Sequence, residues 1–176
     1  MKIAILGYSG SGKSTLAREL GRIFGCPVLH LDQIHFLPGW VERDSAEMAA
    51  EMTKFLDENE SWIIDGSYLR TLGPRRMAEA DQILFLELPR LVCFRSVLMR
   101  RFRHRGGKPR ADMAPGCPDK VDWEFARWVL WEGRTPQRQA QFQAILAQYP
   151  HKAKRFRSRR QVQEFLESCK KTAKTP

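Results

Sequence analysis

The residues best equipped for chemistry stand at the start of the chain. Gly7, Ser9, Gly10, Ser11, Gly12, Lys13, Ser14 and Thr15 lie in the run Gly7-x-x-x-x-Gly12-Lys13-Ser14-Thr15, the phosphate-loop (P-loop, Walker A) pattern. A polyphosphate packs several negative charges into a small volume. Consecutive backbone N–H groups can surround it only where no Cβ blocks the approach, which is the use of Gly7, Gly10 and Gly12. Lys13 has the reach for β- and γ-phosphates, Ser14 offers a hydroxyl to Mg²⁺, and Thr15 can donate to the α-phosphate. Both flanks fit. Ile3 to Leu6 read as a strand buried on two faces, and Leu16, Leu20, Ile23 and Phe24 recur at helical spacing. The helix beginning near Lys13 aims its positive end at the same point.

Two carboxylates end later strands. Val28-Leu29-His30-Leu31 leads to Asp32, and Trp62-Ile63-Ile64 leads to Asp65-Gly66. Ligands gather at the carboxyl ends of parallel strands, so Asp32 is expected near the phosphates if its strand lies close to the first. His35-Phe36-Leu37-Pro38-Gly39-Trp40 reads as a loop, in which His35 and Trp40 suit substrate binding and simple packing equally. Asp44 with Glu47 is expected to cap a helix whose apolar face holds Met48, Met52, Phe55 and Leu56. Tyr68, Arg70, Arg75 and Arg76 follow the third strand.

Further along, Gln82 to Leu88 read as a strand stopped by Pro89. Leu91, Phe94, Leu98 and Phe102 mark a helix that also carries Arg95, Arg100 and Arg101. The stretch from about 103 to 121 is basic, rich in Gly and Pro, and without periodicity, which suits a mobile lid over an anion. Asp122 can cap a helix carrying Trp123, Arg127, Leu130 and Trp131, expected to bring Arg127 and Arg134 towards the lid. Pro136 opens another helix. Lys152 to Phe156 suit an edge strand, and Ser158-x-x-Gln161 is a capping box before the last helix. Strands alternating with helices imply a single three-layer α/β domain around a parallel sheet.

The bulk properties agree. At 176 residues with 43% hydrophobic content, one substantial core is expected. No apolar run approaches a membrane span, and the first strand starts at once, so no leader is expected. Cys26, Cys93, Cys117 and Cys169 stand far apart, which fits reduced thiols in the cytoplasm. Charge is uneven. Residues 1–88 hold 9 Lys and Arg against 13 Asp and Glu, a net of −4; residues 89–176 hold 21 against 7, a net of +14. That fits arginines closing over polyphosphate, and it also fits nucleic-acid binding.

These motifs in combination resemble the proteins named DNA topology modulation (FlaR-like) proteins. The matching pieces are the phosphate loop, Leu31-Asp32-x-x-His35-x-x-Pro38-Gly39-Trp40, Trp62-Ile63-Ile64-Asp65-Gly66-x-Tyr68, Arg100-Arg101 and Asp112-Met113-Ala114-x-Gly116-Cys117-Pro118. The resemblance covers roughly the first 130 residues, and Ser67 stands where asparagine is expected. That family is similar to adenylate and shikimate kinases. The likeness implies a nucleoside/shikimate kinase-like P-loop NTPase fold with a basic lid, and transfer of the ATP γ-phosphoryl group to a small molecule. It implies that Asp65 organises Mg²⁺ and that Asp32 orients the acceptor and takes its proton. His35, Trp40, Gly66, Tyr68, Arg70 and Arg76 would bind acceptor. Arg101 and Arg105 would stabilise the transferring group, with Arg110 a further lid cation, while Arg100 and Arg159 would hold nucleotide. By the same likeness, the turn from Arg157 to Arg159 approaches the base. A nucleotide-dependent regulator of DNA topology is the alternative, with weak, salt-sensitive association to nucleic acid. A switch ATPase or GTPase with water as acceptor is a third.

Overall fold

The structure, a computed structural model, describes residues 1–103, 112–117 and 122–174. Five strands form one parallel sheet: β1 (Lys2–Gly7), β2 (Val28–His30), β5 (Trp62–Asp65), β6 (Gln82–Leu86) and β7 (Ala153–Phe156). Their spatial order is β2-β5-β1-β6-β7. The register sets Ile5 beside Asp65, Gly7 beside Leu86, and His30 beside Asp65.

Alternation along β1 explains the three layers, because successive side chains of a strand face opposite ways. Ile3 and Ile5 enter one core, with Leu84 and Leu86 of β6. That core is closed by α1 (Lys13–Phe24), α5 (Arg90–Arg103), α6 (Trp123–Leu130) and α8 (Arg159–Lys174). Ala4 and Leu6 enter the other core, with Ile83 and Phe85. It is covered by α3 (Ser45–Glu58), α4 (Gly73–Glu79) and α7 (Pro136–Gln148). Phe85 is central there, tilted 4.5 Å from Phe142 and edge-on to Tyr8 at 5.9 Å.

Helix ends follow their local chemistry. The Asp44 side chain accepts from the N–H groups of Ala46 and Glu47 at the start of α3. Asp122 accepts from Phe125 N–H at the start of α6, and Thr135 from Arg138 N–H at the start of α7. At α8, Ser158 accepts from Gln161 N–H, while the Gln161 side chain reaches back to Arg157 N–H at 2.7 Å. Gly25 ends α1 in the left-handed region at φ 64°, where glycine has no Cβ penalty.

Three local expectations change. The second strand stops at His30, and Asp32 lies in a short helix, α2 (Leu31–His35). Leu31 drives that turn: it is fully buried in the second core and packs under Gly66, where an added Cβ would meet Leu31 at 2.7 Å. The strand β2 also neighbours β5, so β5 separates it from β1. The expected loop at 35–40 is a hairpin of β3 (Phe36–Leu37) and β4 (Val41–Glu42). Finally, α4 follows β5 and buries Arg76 completely.

Replacing Phe85 with alanine is expected to lower the unfolding free energy by about 3–5 kcal/mol. Asp44→Ala, which removes only a cap, should cost about 1 kcal/mol. Urea denaturation of both variants checks this ordering, and equal losses would contradict the central place given to Phe85.

Candidate active site

A cleft of about 1940 Å³ runs over the carboxyl ends of the strands. Gly7, Ser9, Gly10, Ser11, Gly12, Lys13, Ser14 and Thr15 all line it. The loop between β1 and α1 closes on itself through Ser11 N–H to Tyr8 C=O at 3.2 Å. Lys13 Nζ lies back over it, donating to the same carbonyl at 3.2 Å.

The loop is supported from behind. A Cβ on Gly10 would stand 2.5 Å from the carbonyl oxygen of Cys93 on α5, so only glycine fits. Tyr8 turns into the core, and the Arg134 guanidinium lies 3.9 Å from its ring centroid. Arg134 is itself buried and donates to the carbonyls of Leu88 and Val129 and to Cys93 Sγ. Burial pushes the Tyr8 and Cys93 groups up in pKa, so both stay neutral near pH 7. Trp128 Nε1 donates to Ser9 Oγ at 3.2 Å. Ser67 closes the neck: its hydroxyl accepts from Gly7 N–H and donates to Gly7 C=O, both at 3.0 Å.

The cradle suits polyphosphate. A Cβ on Gly12 would meet nothing within 4 Å, so the loop is open on that side. The first turn of α1 holds no acidic residue, leaving its positive end uncompensated. Ser11 Oγ is buried without a hydrogen-bond partner among the described residues.

Asp65 sits at the floor, nearly buried but lining the cleft. Its Oδ2 lies 3.0 Å from His30 Nδ1, and its Oδ1 has no partner among the described residues. The buried Arg76 guanidinium interacts with Asp65 electrostatically; burial pushes its pKa down to about 10, against the opposing pull of that carboxylate. Ser14 and Asp65 offer the oxygen ligands that Mg²⁺ prefers. No cluster of three or more His, Cys, Asp or Glu among the described residues could hold a metal. A magnesium ion here would therefore rest largely on phosphate oxygens and water, its usual habit.

The far end of the cleft is built around Asp32. Tyr68 Oη donates to Asp32 Oδ1 at 2.7 Å. Burial and the adjacent Asp32 carboxylate hold the Tyr68 phenol far above its ordinary pKa. His35, Trp40, Gly66 and Arg70 line the same end. The hairpin is braced by residues 112–117: Gly39 N–H donates to Gly116 C=O, Cys117 Sγ–H to Leu37 C=O, and Met113 packs with Phe36 and Trp40. Arg18 of α1 meets Asp112 at 3.9 Å.

At the other end, Arg159 donates to Ser96 Oγ, Arg138 covers Trp128 at 4.5 Å, and Arg100 lies 6.0 Å from the Phe125 ring. All three arginines line the cleft.

Several expected residues fall elsewhere. Arg76 is buried behind Asp65 and forms no part of the cleft wall, so it offers an acceptor no contact. Arg101 is exposed on α5 and also lies off the wall. Arg105 and Arg110, with most of the expected lid, lie outside the described residues. Arg157 pairs with Glu87 rather than lining the cleft. One helix does not carry both Arg127 and Arg134. Arg127 pairs with Glu132 on the surface, and Arg134 lies in a separate turn, Glu132–Arg134. Sequence reading missed Ser67, Trp128 and Arg134 as supports of the loop. Their only signal was their residue type, since their partners stand 60 to 119 positions away or on another element.

No protein-family model matches the chain, and no curated protein matches it. Solved structures do. A shikimate kinase from Acinetobacter baumannii superposes with a TM-score of 0.57 at 14% identity, over 99% of this chain and 95% of that one. A gluconokinase from Sinorhizobium meliloti gives 0.54 at 17%, over 98% and 90%. The fold is that of the P-loop kinases. A deoxyadenosine kinase from M. mycoides gives 0.50 at 16%, over 98% and 97%. The resemblance to topology modulation proteins rests on the motifs alone. No described helix of this kinase fold is long and apolar enough to cross a membrane.

Ser67→Ala would leave the N–H and C=O of Gly7 without their side-chain partner. A loss of about 1–3 kcal/mol in stability is expected, with ATP-Mg affinity falling several-fold. Thermal melts and isothermal titration test both. Unchanged ATP affinity would remove Ser67 from the loop's support.

Proposed function

We propose that the chain is an ATP-dependent phosphotransferase acting on a small alcohol. One observation carries this reading: the phosphate loop and the Tyr68-held carboxylate of Asp32 face a single cleft. The kinase fold supports it.

Transfer of a phosphoryl group needs positioning and charge neutralisation more than covalent help from the protein. ATP is the donor substrate. Gly10, Gly12, Lys13 and Thr15 hold its phosphates, with Arg100 and Arg159 on the nucleotide side. Ser14, and Asp65 through water, would hold Mg²⁺, which would supply charge neutralisation to the phosphates. Asp32 orients the acceptor hydroxyl and takes its proton as the oxygen bonds to phosphorus. The bond from that phosphorus to the bridging oxygen breaks, and ADP leaves. Tyr68 keeps Asp32 in place, because the phenol remains protonated across the working pH range and always donates.

ADP release from ATP-Mg, measured against a panel of alcohols, tests the reading. Stimulation by one alcohol, with a phosphorylated product, is expected. Lys13→Ala should abolish it, and Asp32→Asn should lower kcat by about 10²–10⁴ with folding intact. ADP release that responds only to duplex DNA at physiological salt would replace this reading with the regulator.

A further inference from the structure

The acceptor end carries more aromatic surface than a polyol needs. Four rings follow one another along its wall: Tyr68 to His35 at 4.4 Å, His35 to Phe36 at 4.5 Å, and Phe36 to Trp40 at 5.2 Å between centroids. All four residues line the cleft. The row starts at the carboxylate of Asp32, which Tyr68 grips, and ends at an indole N–H. That Nε1 is buried with no hydrogen-bond partner among the described residues. Trp40 stands at φ 67° in the turn of the β3–β4 hairpin, after Gly39 at φ 82°, a conformation that costs a bulky residue energy.

Among the described residues, the charges at this end disfavour an anionic acceptor. Asp32, Glu42, Asp65 and Asp112 line it against Arg18, Arg43 and Arg70. Some of these charges are already engaged: Arg18 meets Asp112 at 3.9 Å, Arg43 meets Glu47 at 3.6 Å, and Glu42 lies 3.7 Å from His35, so pairing takes acid as well as base out of the balance. A phosphorylated or carboxylated acceptor would bring further negative charge towards an acidic wall. An uncharged alcohol would not.

We infer that the acceptor is an unphosphorylated nucleoside, its hydroxyl on Asp32 and its base against the His35–Phe36–Trp40 row, in which neighbouring rings stand at 73° and 69° to each other. A flat heterocycle can stack on one of those rings and meet the next edge-on. Its ring nitrogens or carbonyl oxygens can accept from the Trp40 indole, which a simple aryl alcohol could not do. The transferred phosphoryl group then makes a nucleoside monophosphate and ADP. This rests on the kinase reading for the transfer, but the binding claim stands separately.

The test is isothermal titration of the full chain, with and without ADP-Mg. The probes are a purine and a pyrimidine nucleoside, their 5′-monophosphates, shikimate and gluconate. A nucleoside is expected to bind at least tenfold more tightly than its monophosphate and than either acid. Trp40→Leu should weaken that binding at least tenfold while ATP affinity stays within twofold. Trp40→Phe, which keeps the ring surface and loses the N–H, should fall between them. Radiolabelled ATP then reads transfer. If a nucleoside binds through Trp40 but receives no label, the binding inference holds and the kinase reading fails. If shikimate, gluconate or a monophosphate binds better and is phosphorylated, the inference is overturned and the kinase reading stands. If no probe binds in either condition, the inference is overturned as well.

Discussion

An anion cradle made of backbone N–H groups must leave most of those groups facing outward, so beyond the Ser11 N–H to Tyr8 C=O bond it cannot hold its own shape through them. The rest of the cleft depends on that constraint. Rigidity comes from the other side of the loop. Ser67 ties both polar atoms of Gly7, Trp128 holds Ser9, and the Arg134 guanidinium presses on Tyr8. Gly10 meets the Cys93 carbonyl without room for a methyl group. These supports come from the ends of β5, α5 and α6 and from the turn at Glu132–Arg134. The loop is therefore set by the packing of both halves of the chain, although its motif is contained in nine residues.

The same logic applies to Asp65. A carboxylate this buried needs polar partners. His30 reaches it because β2 lies beside β5 in register, and Arg76 supplies a buried positive charge without a hydrogen bond among the described residues. Arg76 thus acts on the cleft through a carboxylate and not by touching an acceptor. Its guanidinium depends on α4, a helix whose glycine- and proline-led start hides it among turn signals.

Much of the architecture was legible because the signals are local. The phosphate loop, the caps at Asp44, Asp122 and Ser158, and the edge strand at 153–156 need only near neighbours. Asp32 and Asp65 were expected near one another because strand ends converge in a parallel sheet, whereas Tyr68 and Trp40 entered through the resemblance; all four line the cleft. What was not legible depends on distance. The stop of β2 at His30 comes from Leu31 packing under Gly66, a contact across elements. The hairpin at 36–42 holds its shape through residues 112–117, some seventy positions later. Arginines were the least readable residues. Arg76, Arg101, Arg134, Arg138 and Arg159 look alike in sequence, and only burial and partners separate a structural cation from one that faces the cleft.

Part of the uneven charge of the chain is seen in the cleft. The second half contributes Arg95, Arg100, Arg138 and Arg159 to it, the first three beside Arg159 at the proposed nucleotide end, and also Asp112, Asp122, Glu124 and Glu132. The acceptor end draws Asp32, Glu42 and Asp65 from the first half, with its arginines largely engaged. In the proposed reaction one end must attract a polyanion, and the other must hold a carboxylate ready to take a proton. A cleft that was basic throughout would bind phosphates at both ends and draw the proton-accepting carboxylate into ion pairs, lowering its basicity. Segregating the charges along the sequence lets one sheet present both environments side by side. Four of the second half's 21 cations thus have a local use in the proposed cleft.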